Sequence, residues 1–425
     1  MGALGTFAPP PQSAGAVPLS ESRGFRFALL FMLSMTEMMP VALMSRAMPV
    51  LLRRSGATLE EISVLSLVML PWAIKALWAP LVDKLGAKSV FGRYRSWLFI
   101  THPLLLLTLA LGAFTNVPAL LTTHRAAGIP ALVWLSIISA TADTASHGMA
   151  VQLLPPHDRG IGNGVQTAGM MVGGLLGGGL MVIMVDKAGW QPALLTMASL
   201  VLLPLIGVLR YKEAPLSAEH AITLREVLAF FRRPRIWRWL TVMALALAIP
   251  SLPGVPFQTL LVDRGLNLTE IGLMIGIIGG SVGALSGMIG GLIVSRLGRQ
   301  RAFYVLNLLC AASLGGATLI FIRKAPSVWL LYAAVVLVYF GLSAGGTILY
   351  VMIMDRSRGH IASTDYTIQY SLMQLCGFLG MGAGGFLAGR VGASTVFILV
   401  PLLMLAMLGG LSRILDERDF QSDPA

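Results

Sequence analysis

The chain has 425 residues, of which 56% are hydrophobic and only 12% charged, and its mean hydropathy is +0.79. Soluble domains typically carry about 25% charged residues, so the composition excludes an ordinary soluble protein. A formal net charge of +12 is consistent with either a nucleic-acid binder or a membrane protein, and the distribution of the basic residues decides between the two.

The chain begins with residues 1–24, whose Pro- and Ala-rich composition predicts a disordered tail. Twelve apolar stretches follow, each of roughly 20 residues and long enough to cross a bilayer core of about 30 Å. We predict an all-α membrane protein with twelve transmembrane helices in two pseudo-symmetric six-helix bundles, 25–210 and 237–413. A linker at 211–236 joins the bundles, and a tail at 414–425 follows. The predicted spans lie near 25–45, 62–82, 97–115, 129–151, 163–185, 190–210, 237–256, 271–294, 302–322, 328–352, 366–388 and 394–413.

The basic residues alternate in density from one predicted loop to the next. If both termini are cytoplasmic, 21 Lys and Arg residues lie on the cytoplasmic side, nine lie on the opposite side, and Lys75 lies inside a span. This bias is the positive-inside pattern and predicts the orientation. It also accounts for the net charge without a nucleic-acid partner. The linker contains a basic run at 232–235, which predicts a short interfacial helix on anionic lipid.

One loop motif occurs twice. Residues 79–88 reappear in similar form as 291–300, 212 positions later. Internal repeats of this size are typical of secondary transporters, whose site lies between the repeats, so transport is the first hypothesis. In the second copy Ser295 replaces the acid Asp83, and we expect no equivalent acidic contact there. The residues predicted to hold the cytoplasmic face closed are Asp83, Lys84, Arg93, Arg95 and Arg296.

Few ionisable residues lie inside the predicted spans, and a charge near the bilayer centre is costly unless it is paired or hydrated. Lys75 and Asp143 lie at similar depth, so we predict that they form an ion pair. Its role is either structural neutralisation or a pair that protonation or substrate breaks. His147 follows Asp143 by one helical turn, as a proton relay or as a packing residue. Glu37 lies deep in the first span. These four residues, Glu37, Lys75, Asp143 and His147, are the predicted proton-coupling or substrate-cavity residues.

Two ligands are too few for a catalytic metal centre, so we expect no metal and no cofactor. Aromatic residues provide either flat surfaces for an aromatic ligand or anchors at the membrane interface. The aromatic candidates are Trp72, Tyr339, Tyr350, Tyr366 and Tyr370, and the predicted substrate contacts also include Asp365 and Gln369.

Glycines recur at i, i+4 spacing in the fifth and eighth spans. Gly169, Gly173 and Gly177 form one such series, and Gly272 and Gly276 begin another. Small residues four apart let neighbouring helix backbones approach closely. The series indicate either static helix packing or the faces along which the two halves rock.

The repeat and its loop motif resemble the major facilitator superfamily over essentially the whole chain. Five segments are more specific, and they resemble the muropeptide-permease and acetyl-CoA-transporter group, which also includes siderophore permeases. These segments are 70–83, 91–97, 142–151, 159–166 and 364–369. The resemblance implies bacterial inner-membrane import driven by the proton gradient.

Three features resemble the siderophore permeases more than the muropeptide branch. They are the Pro-Trp pair before Lys75, the Gly-Asn-Gly run at 162–164 and a chain of only twelve predicted spans. Two positions depart from the group: Glu37 stands where Gln is common, and His147 stands where a second acid is expected. The positions carried over from the group are Lys75, Asp83, Arg93, Asp143, Asp365 and Gln369.

The sequence therefore predicts a proton-coupled importer of a small siderophore, free or ferric, that alternates access between two bundles. Its partners are the cargo, protons and the lipid bilayer, with an outer-membrane receptor involved only indirectly. A permease for anhydromuropeptides or another amphiphilic metabolite is the alternative, and a non-transporting membrane sensor is the alternative of another class. An enzyme is not expected: the G-x-S-x-G match at 279–283 falls in a glycine-rich span. The chain also contains no G-x-x-x-x-G-K-[ST] phosphate loop.

Overall fold

The computed structural model describes residues 22–54, 68–86, 91–115, 117, 125–213, 224–266, 268–323 and 326–420. All regular structure in these ranges is helical, which confirms the predicted all-α class. Eleven helices of the described residues are long and apolar enough to cross a membrane. The span predicted near 62–82 lies partly outside the described residues.

We call residues 22–213 the first half and 224–420 the second half. Helices of the first half are α1 (Arg23–Leu52), α2 (Leu70–Ile74), α3 (Ala79–Gly86), α4 (Arg93–Phe114), α5 (Gly128–Leu153), α6 (Arg159–Ala188) and α7 (Trp190–Arg210). Those of the second half are α8 (Leu224–Ala229), α9 (Ile236–Ser251), α10 (Gly254–Asp263), α11 (Glu270–Leu297), α12 (Arg299–Phe321), α13 (Val328–Asp355), α14 (Gly359–Val391) and α15 (Ala393–Ile414).

The first span is longer than predicted. We predicted that it ends near residue 45, just before Arg46. Instead a π-helical turn, Leu43–Ala47, carries the helix through Arg46 to Leu52. The arginine is therefore part of the span itself.

The buried cores show how the halves meet. One core crosses both halves and joins Leu29 and Met149 of the first to Met354 of the second. This core lies toward the face at which α1 begins and α15 ends, which we call the N-terminal face. Toward the opposite face each half has its own core, around Leu135 in the first and Phe397 in the second. The halves are thus packed together at the N-terminal face and apart at the other.

The glycine series of the fifth span packs within the first half. A Cβ atom added to Gly173 or Gly177 would collide with the backbone oxygens of Met35 and Met39 on α1. These glycines let α1 and α6 touch along their backbones, as small residues do in membrane helix pairs. The static-packing interpretation therefore describes this series.

Other glycines lie at the contact between the halves. Gly160 of α6 lies against Gly291 of α11, and Gly287 lies against the side chain of Thr167. At Gly272 and Gly276, from the predicted eighth-span series, an added Cβ atom would meet no neighbour within 4 Å. Only the later part of that series contributes to the contact between α6 and α11.

The linker forms a short helix, α8, which packs on protein. Phe230 is fully buried, and the ring of His360 lies 2.7 Å from Glu226 Oε1. Arg358 Nη2 donates to the backbone oxygen of Glu226 at 3.2 Å. The linker is thereby attached to the loop between α13 and α14, and its binding to lipid stays a prediction.

Glu213, which follows α7, closes the N-terminus of α4. Its carboxylate accepts from the backbone nitrogens of Tyr94 at 3.0 Å and Arg95 at 3.1 Å. Burial raises the pKa of Glu213 above its ordinary value. The carboxylate fixes the end of α4 that carries Arg93 and Tyr94, two residues that contact the second half.

Candidate functional site

A cavity lies between the halves, and each half contributes a different kind of side chain to it. The first half supplies polar and titratable groups, and the second half supplies tyrosines. The lining residues of the first half are Ser34, Glu37, Met38, Asp143, His147, Asn163, Gln166, Thr167 and Met170, and those of the second are Tyr350, Tyr366 and Tyr370.

The predicted ion pair between Lys75 and Asp143 is present. The Lys75 side chain is fully buried and lies 4.5 Å from the ring centroid of Trp72 and 4.4 Å from that of Tyr370. Desolvated ammonium groups gain from such cation–π contacts. His147 Nδ1 lies 3.2 Å from Asp143 Oδ2 on the next turn of α5. Asp143 is therefore shared between the ammonium group of Lys75 and the imidazole of His147.

Glu37 is the least satisfied member of this cluster. It is 3% exposed, and its Oε1 is buried without a hydrogen-bond partner among the described residues. Asp143 and Lys75 both lie within electrostatic range of its carboxyl group. Burying the ionised carboxylate costs more than burying the neutral acid. The site is therefore suited to taking up and releasing a proton.

The tyrosines of the second half form an aromatic wall opposite these groups. The ring of His147 stacks on Tyr366 with 4.2 Å between centroids. Tyr370 lies 6.1 Å from both Tyr366 and Tyr350. The contacts of His147 and Lys75 with this wall cross from one half to the other. A movement of the halves would break them.

Four predicted contact residues do not line the cavity. One is Trp72, whose ring packs on Lys75 Nζ. Asp365 is fully buried at the N-terminal face, where Arg358 Nε donates to it at 2.8 Å. Gln369 accepts from Trp239 Nε1 at 2.7 Å and lies inside the second half. Tyr339 packs on Gly279, further toward the opposite face.

Asp83 forms a contact between the halves at the N-terminal face. Its carboxylate accepts from the backbone nitrogen of Thr364 at 2.7 Å and from Thr364 Oγ1 at 2.6 Å. Tyr94 donates to Asp83 at 2.6 Å, and its hydroxyl accepts from the backbone nitrogen of Ser363 at 3.3 Å. The α-helical part of α14 is Ala362–Val391, and Thr364 lies in its first turn, so the acid also faces the positive end of that helix. We call Asp83, Tyr94, Ser363 and Thr364 the latch.

The basic residues predicted to act with Asp83 are placed differently from one another. Arg93 donates to the backbone oxygen of His360 in the second half. Arg95 donates to Val208 O at 3.0 Å and so stays within the first half. The other two, Lys84 and Arg296, are exposed.

A second contact between the halves was missed by the sequence analysis. Asp355, at the end of α13, accepts from Arg159 Nη1 at 2.7 Å and from Arg299 Nε at 2.9 Å. Arg159 belongs to the first half and Arg299 to the second. The second half therefore has an acidic contact after all, supplied by Asp355 instead of Ser295. The signal available in the sequence was an acid at the end of an apolar stretch.

We expect Asp83→Asn to weaken closure of the N-terminal face. The amide keeps one neutral acceptor oxygen and loses the charge that strengthens the bonds to Thr364, a loss of about 1.5–3 kcal/mol in total, so the open population should rise roughly 10- to 100-fold. Spin labels at Lys84→Cys and Arg296→Cys, two exposed positions in opposite halves, report the separation by electron–electron distance measurement. Asp186→Asn, an exposed acid on the opposite face, is the control. An unchanged distance distribution in the Asp83 variant would contradict a latch role.

The model of the Major Facilitator Superfamily matches residues 26–363 and 251–422 of the chain. The chain belongs to the Major Facilitator Superfamily. It is thus a multi-pass membrane transporter and not an enzyme, and the G-x-S-x-G match at 279–283 lies within helical residues, without a strand-to-helix elbow.

Relatives of this superfamily member include the anhydromuropeptide permease of Escherichia coli K12. The two are 27% identical over 403 residues, which cover 90% of this chain and 79% of the permease. A protein named putative transporter AmpG 1 in Rickettsia conorii is 29% identical over 130 residues, covering 30% of each chain. These relatives agree with the muropeptide-permease group, and the siderophore branch stays a prediction.

Solved structures share the fold. A bacterial homologue of the iron transporter ferroportin, in an outward-facing state, superposes with a TM-score of 0.67 at 17% identity. It covers 91% of this chain and 98% of its own. FucP in the outward conformation gives 0.65 at 15% identity, with the same coverage. At these identities the likeness concerns the fold alone.

Proposed function

We propose that the protein is a proton-coupled importer of the bacterial inner membrane, and that an anhydromuropeptide is its first candidate cargo. The observation that supports this most is the cavity between the halves, where the buried carboxyl group of Glu37, whose Oε1 has no hydrogen-bond partner among the described residues, lies beside the Lys75–Asp143 pair. Buried ionisable groups of this kind mark proton and substrate pathways in transporters. The overall likeness to the muropeptide permease supports the cargo.

The charge of the cluster supplies a physical reason for coupling. Lys75 and Asp143 cancel, so an ionised Glu37 leaves the buried cluster with one negative charge, and a protonated Glu37 leaves it neutral. Since burial of a net charge is costly, the closed cavity favours the protonated form. Opening to water removes that preference and lets the proton leave.

The basic bias of the loops supports a cytoplasmic N-terminal face. The latch and the Asp355 contact then close the cytoplasmic side, and cargo enters from the opposite side. Rocking of the halves would separate His147 from Tyr366 and Lys75 from Tyr370. The aromatic contacts between the halves would thus be replaced by contacts with solvent or cargo during each cycle.

A phenolate siderophore is the second candidate cargo. The aromatic wall of Tyr350, Tyr366 and Tyr370 favours it, because flat aromatic ligands stack on such rings. The muropeptide lacks an aromatic group, and its sugar rings would instead pack their apolar faces against the tyrosines. Either cargo is small and amphiphilic.

Uptake into proteoliposomes under an imposed pH gradient tests the cargo directly. We expect labelled anhydromuropeptide to accumulate against its gradient, and more than a phenolate ferric siderophore does. Accumulation of the siderophore but not of the muropeptide would support the siderophore as cargo and contradict the muropeptide. Vesicles that take up neither substance, although the protein is folded and correctly inserted, would contradict both cargoes.

A further inference from the structure

Arg46 is an arginine inside the first membrane span, in a part of the structure that the coupling cluster does not explain. It lies on the π-helical turn Leu43–Ala47, and its side chain is exposed. Arg46 lies 23 residues after Arg23, about 35 Å along α1 and near the far end of a bilayer core of about 30 Å. An arginine at this height either reaches for the headgroups or faces an interior cavity. The neighbours of Arg46 show that it faces the interior.

Contacts with α6 fix the direction of the Arg46 side chain. The base of the Arg46 side chain lies beside Gly178, because a Cβ atom added to Gly178 would be 3.4 Å from Arg46 Cβ. The guanidinium lies beside Gly174, because a Cβ atom added to Gly174 would be 3.0 Å from Arg46 Nη1. Because α6 runs away from the N-terminal face, Gly174 is one turn nearer to that face than Gly178. The guanidinium therefore points inward, away from the lipid headgroups of the opposite face. An arginine that reached for those headgroups would point the other way.

The second half approaches the same arginine. Tyr339 of α13 lies within electrostatic range of Arg46 and packs on Gly279. Arg46 thus lies in the space between the halves that faces away from the N-terminal face, which we call the vestibule. Among the described residues it has no hydrogen bond and no ion pair that would neutralise it.

Three π-helical segments surround this position. They are Leu43–Ala47 in α1, Leu176–Leu180 in α6 and Leu273–Gly279 in α11, and the second contacts both of the others. Such bulges are rare and occur frequently at functional sites. Their meeting around an unpaired guanidinium is a second observation, independent of the charge itself.

The guanidinium also stands directly above the cavity. Gly174 is one turn, or about 6 Å along α6, from Met170, which lines the cavity. Arg46 and Glu37 are nine residues apart on α1, about 13 Å along its axis. A cargo the size of a sugar-peptide can therefore contact Arg46 and the tyrosine wall at the same time.

We infer that Arg46 binds a carboxylate of the cargo in the vestibule and selects anionic solutes. The inference rests on the proposed import function and deepens it by naming the chemical class of the cargo. A guanidinium binds a carboxylate through two parallel hydrogen bonds. Gly174 and Gly178 have no side chains, and this leaves a groove on α6 in which the Arg46 side chain lies. Both candidate cargoes carry carboxylates, so the muropeptide and the phenolate siderophore are served by the same residue.

Binding of small matched pairs tests this without transport. N-acetylmuramic acid is compared with its carboxamide, and salicylate with salicylamide, on the purified protein in nanodiscs. We expect at least one acid to bind about 10- to 100-fold more tightly than its amide, and Arg46→Gln to abolish the difference without changing amide binding. Arg46→Lys keeps the positive charge but loses the planar guanidinium that binds a carboxylate through two hydrogen bonds, so it should retain only part of the preference for the acid. Lys187→Gln, which removes an exposed charge near the same face, should leave the preference unchanged.

The two proposals fail separately. Wild-type protein that binds neither acid better than its amide overturns the role of Arg46, whatever the protein transports. An Arg46→Gln variant that keeps the preference also overturns it. A preference that depends on Arg46, in a protein that moves no proton with its cargo, supports the anion site and contradicts the proposed coupling.

Discussion

Glu37→Gln should abolish uphill uptake while leaving exchange of cargo across the membrane intact. The amide reproduces the neutral cluster of the protonated acid, so the cavity closes without binding a proton. One pH unit supplies about 1.4 kcal/mol per proton, which sustains roughly tenfold accumulation at zero membrane potential. In the variant this ratio should fall to about one. Counterflow of labelled against unlabelled cargo should persist at a rate near that of the wild type.

The matched control for this prediction is Glu270→Gln, the same chemical change at the start of α11, outside the cavity. It should accumulate cargo as the wild type does. Uphill uptake that survives in Glu37→Gln would remove this residue from the coupling role and transfer attention to Asp143 and His147. Loss of both uptake and counterflow would mean that Glu37 binds cargo.

Separating the buried pair of Lys75 and Asp143 should have the largest effect on stability. Lys75→Met leaves Asp143 with only His147, and Asp143→Asn leaves a fully buried ammonium between two aromatic rings. Breaking a buried pair from one side costs about 3–5 kcal/mol, whereas replacing both partners is often neutral. We expect each single variant to lower the unfolding temperature strongly and the double variant, K75M/D143N, to recover most of the loss.

Thermal unfolding followed by intrinsic fluorescence measures this set in one experiment. The control is Lys84→Met, which removes an exposed lysine at the N-terminal face and should change the unfolding temperature little. The coupling energy is the departure of the double variant from the sum of the singles. If the losses of stability in the two single variants add up in the double variant, the two charges are stabilised independently. Lys75 and Asp143 would then not neutralise each other.

The Lys75–Asp143 pair was predictable because it depends on depth alone. Asp143 lies on the long helix α5, and Lys75 lies on the short 3-10 turn Lys75–Leu77 between α2 and α3. Counting residues from the membrane face gives the height of each. A lysine and an aspartate at the same height form an ion pair, because burying either charge alone is costly. The latch residue Asp83 was predictable for a different reason, since it lies in a repeated loop motif at a membrane face.

The contacts that the sequence did not reveal depend on side-chain direction or on which helix faces which. Asp365 and Gln369 lie in a stretch that also contributes Tyr366 and Tyr370, yet the first two point into the second half and the tyrosines into the cavity. Helical periodicity alone does not tell the two faces apart when almost every position on the helix is buried.

Arg46 illustrates a second limit. The predicted boundary near residue 45 left Arg46 just outside the first span. The π-helical turn changes the register of the helix and brings the arginine into the space between the halves. A one-residue bulge leaves no signature in composition or periodicity. The two glycines of α6 that accommodate the arginine were visible only as part of a packing stripe.

The most direct test of proton-coupled import is cargo-induced proton movement. Proteoliposomes that contain a trapped pH-sensitive dye, at zero membrane potential, receive the anhydromuropeptide or the siderophore from outside. If import is coupled to protons, the lumen acidifies as cargo enters, and the signal is absent in Glu37→Gln. Cargo entry at the same rate without acidification in the wild type would contradict the coupling, and the carrier would then be a facilitator.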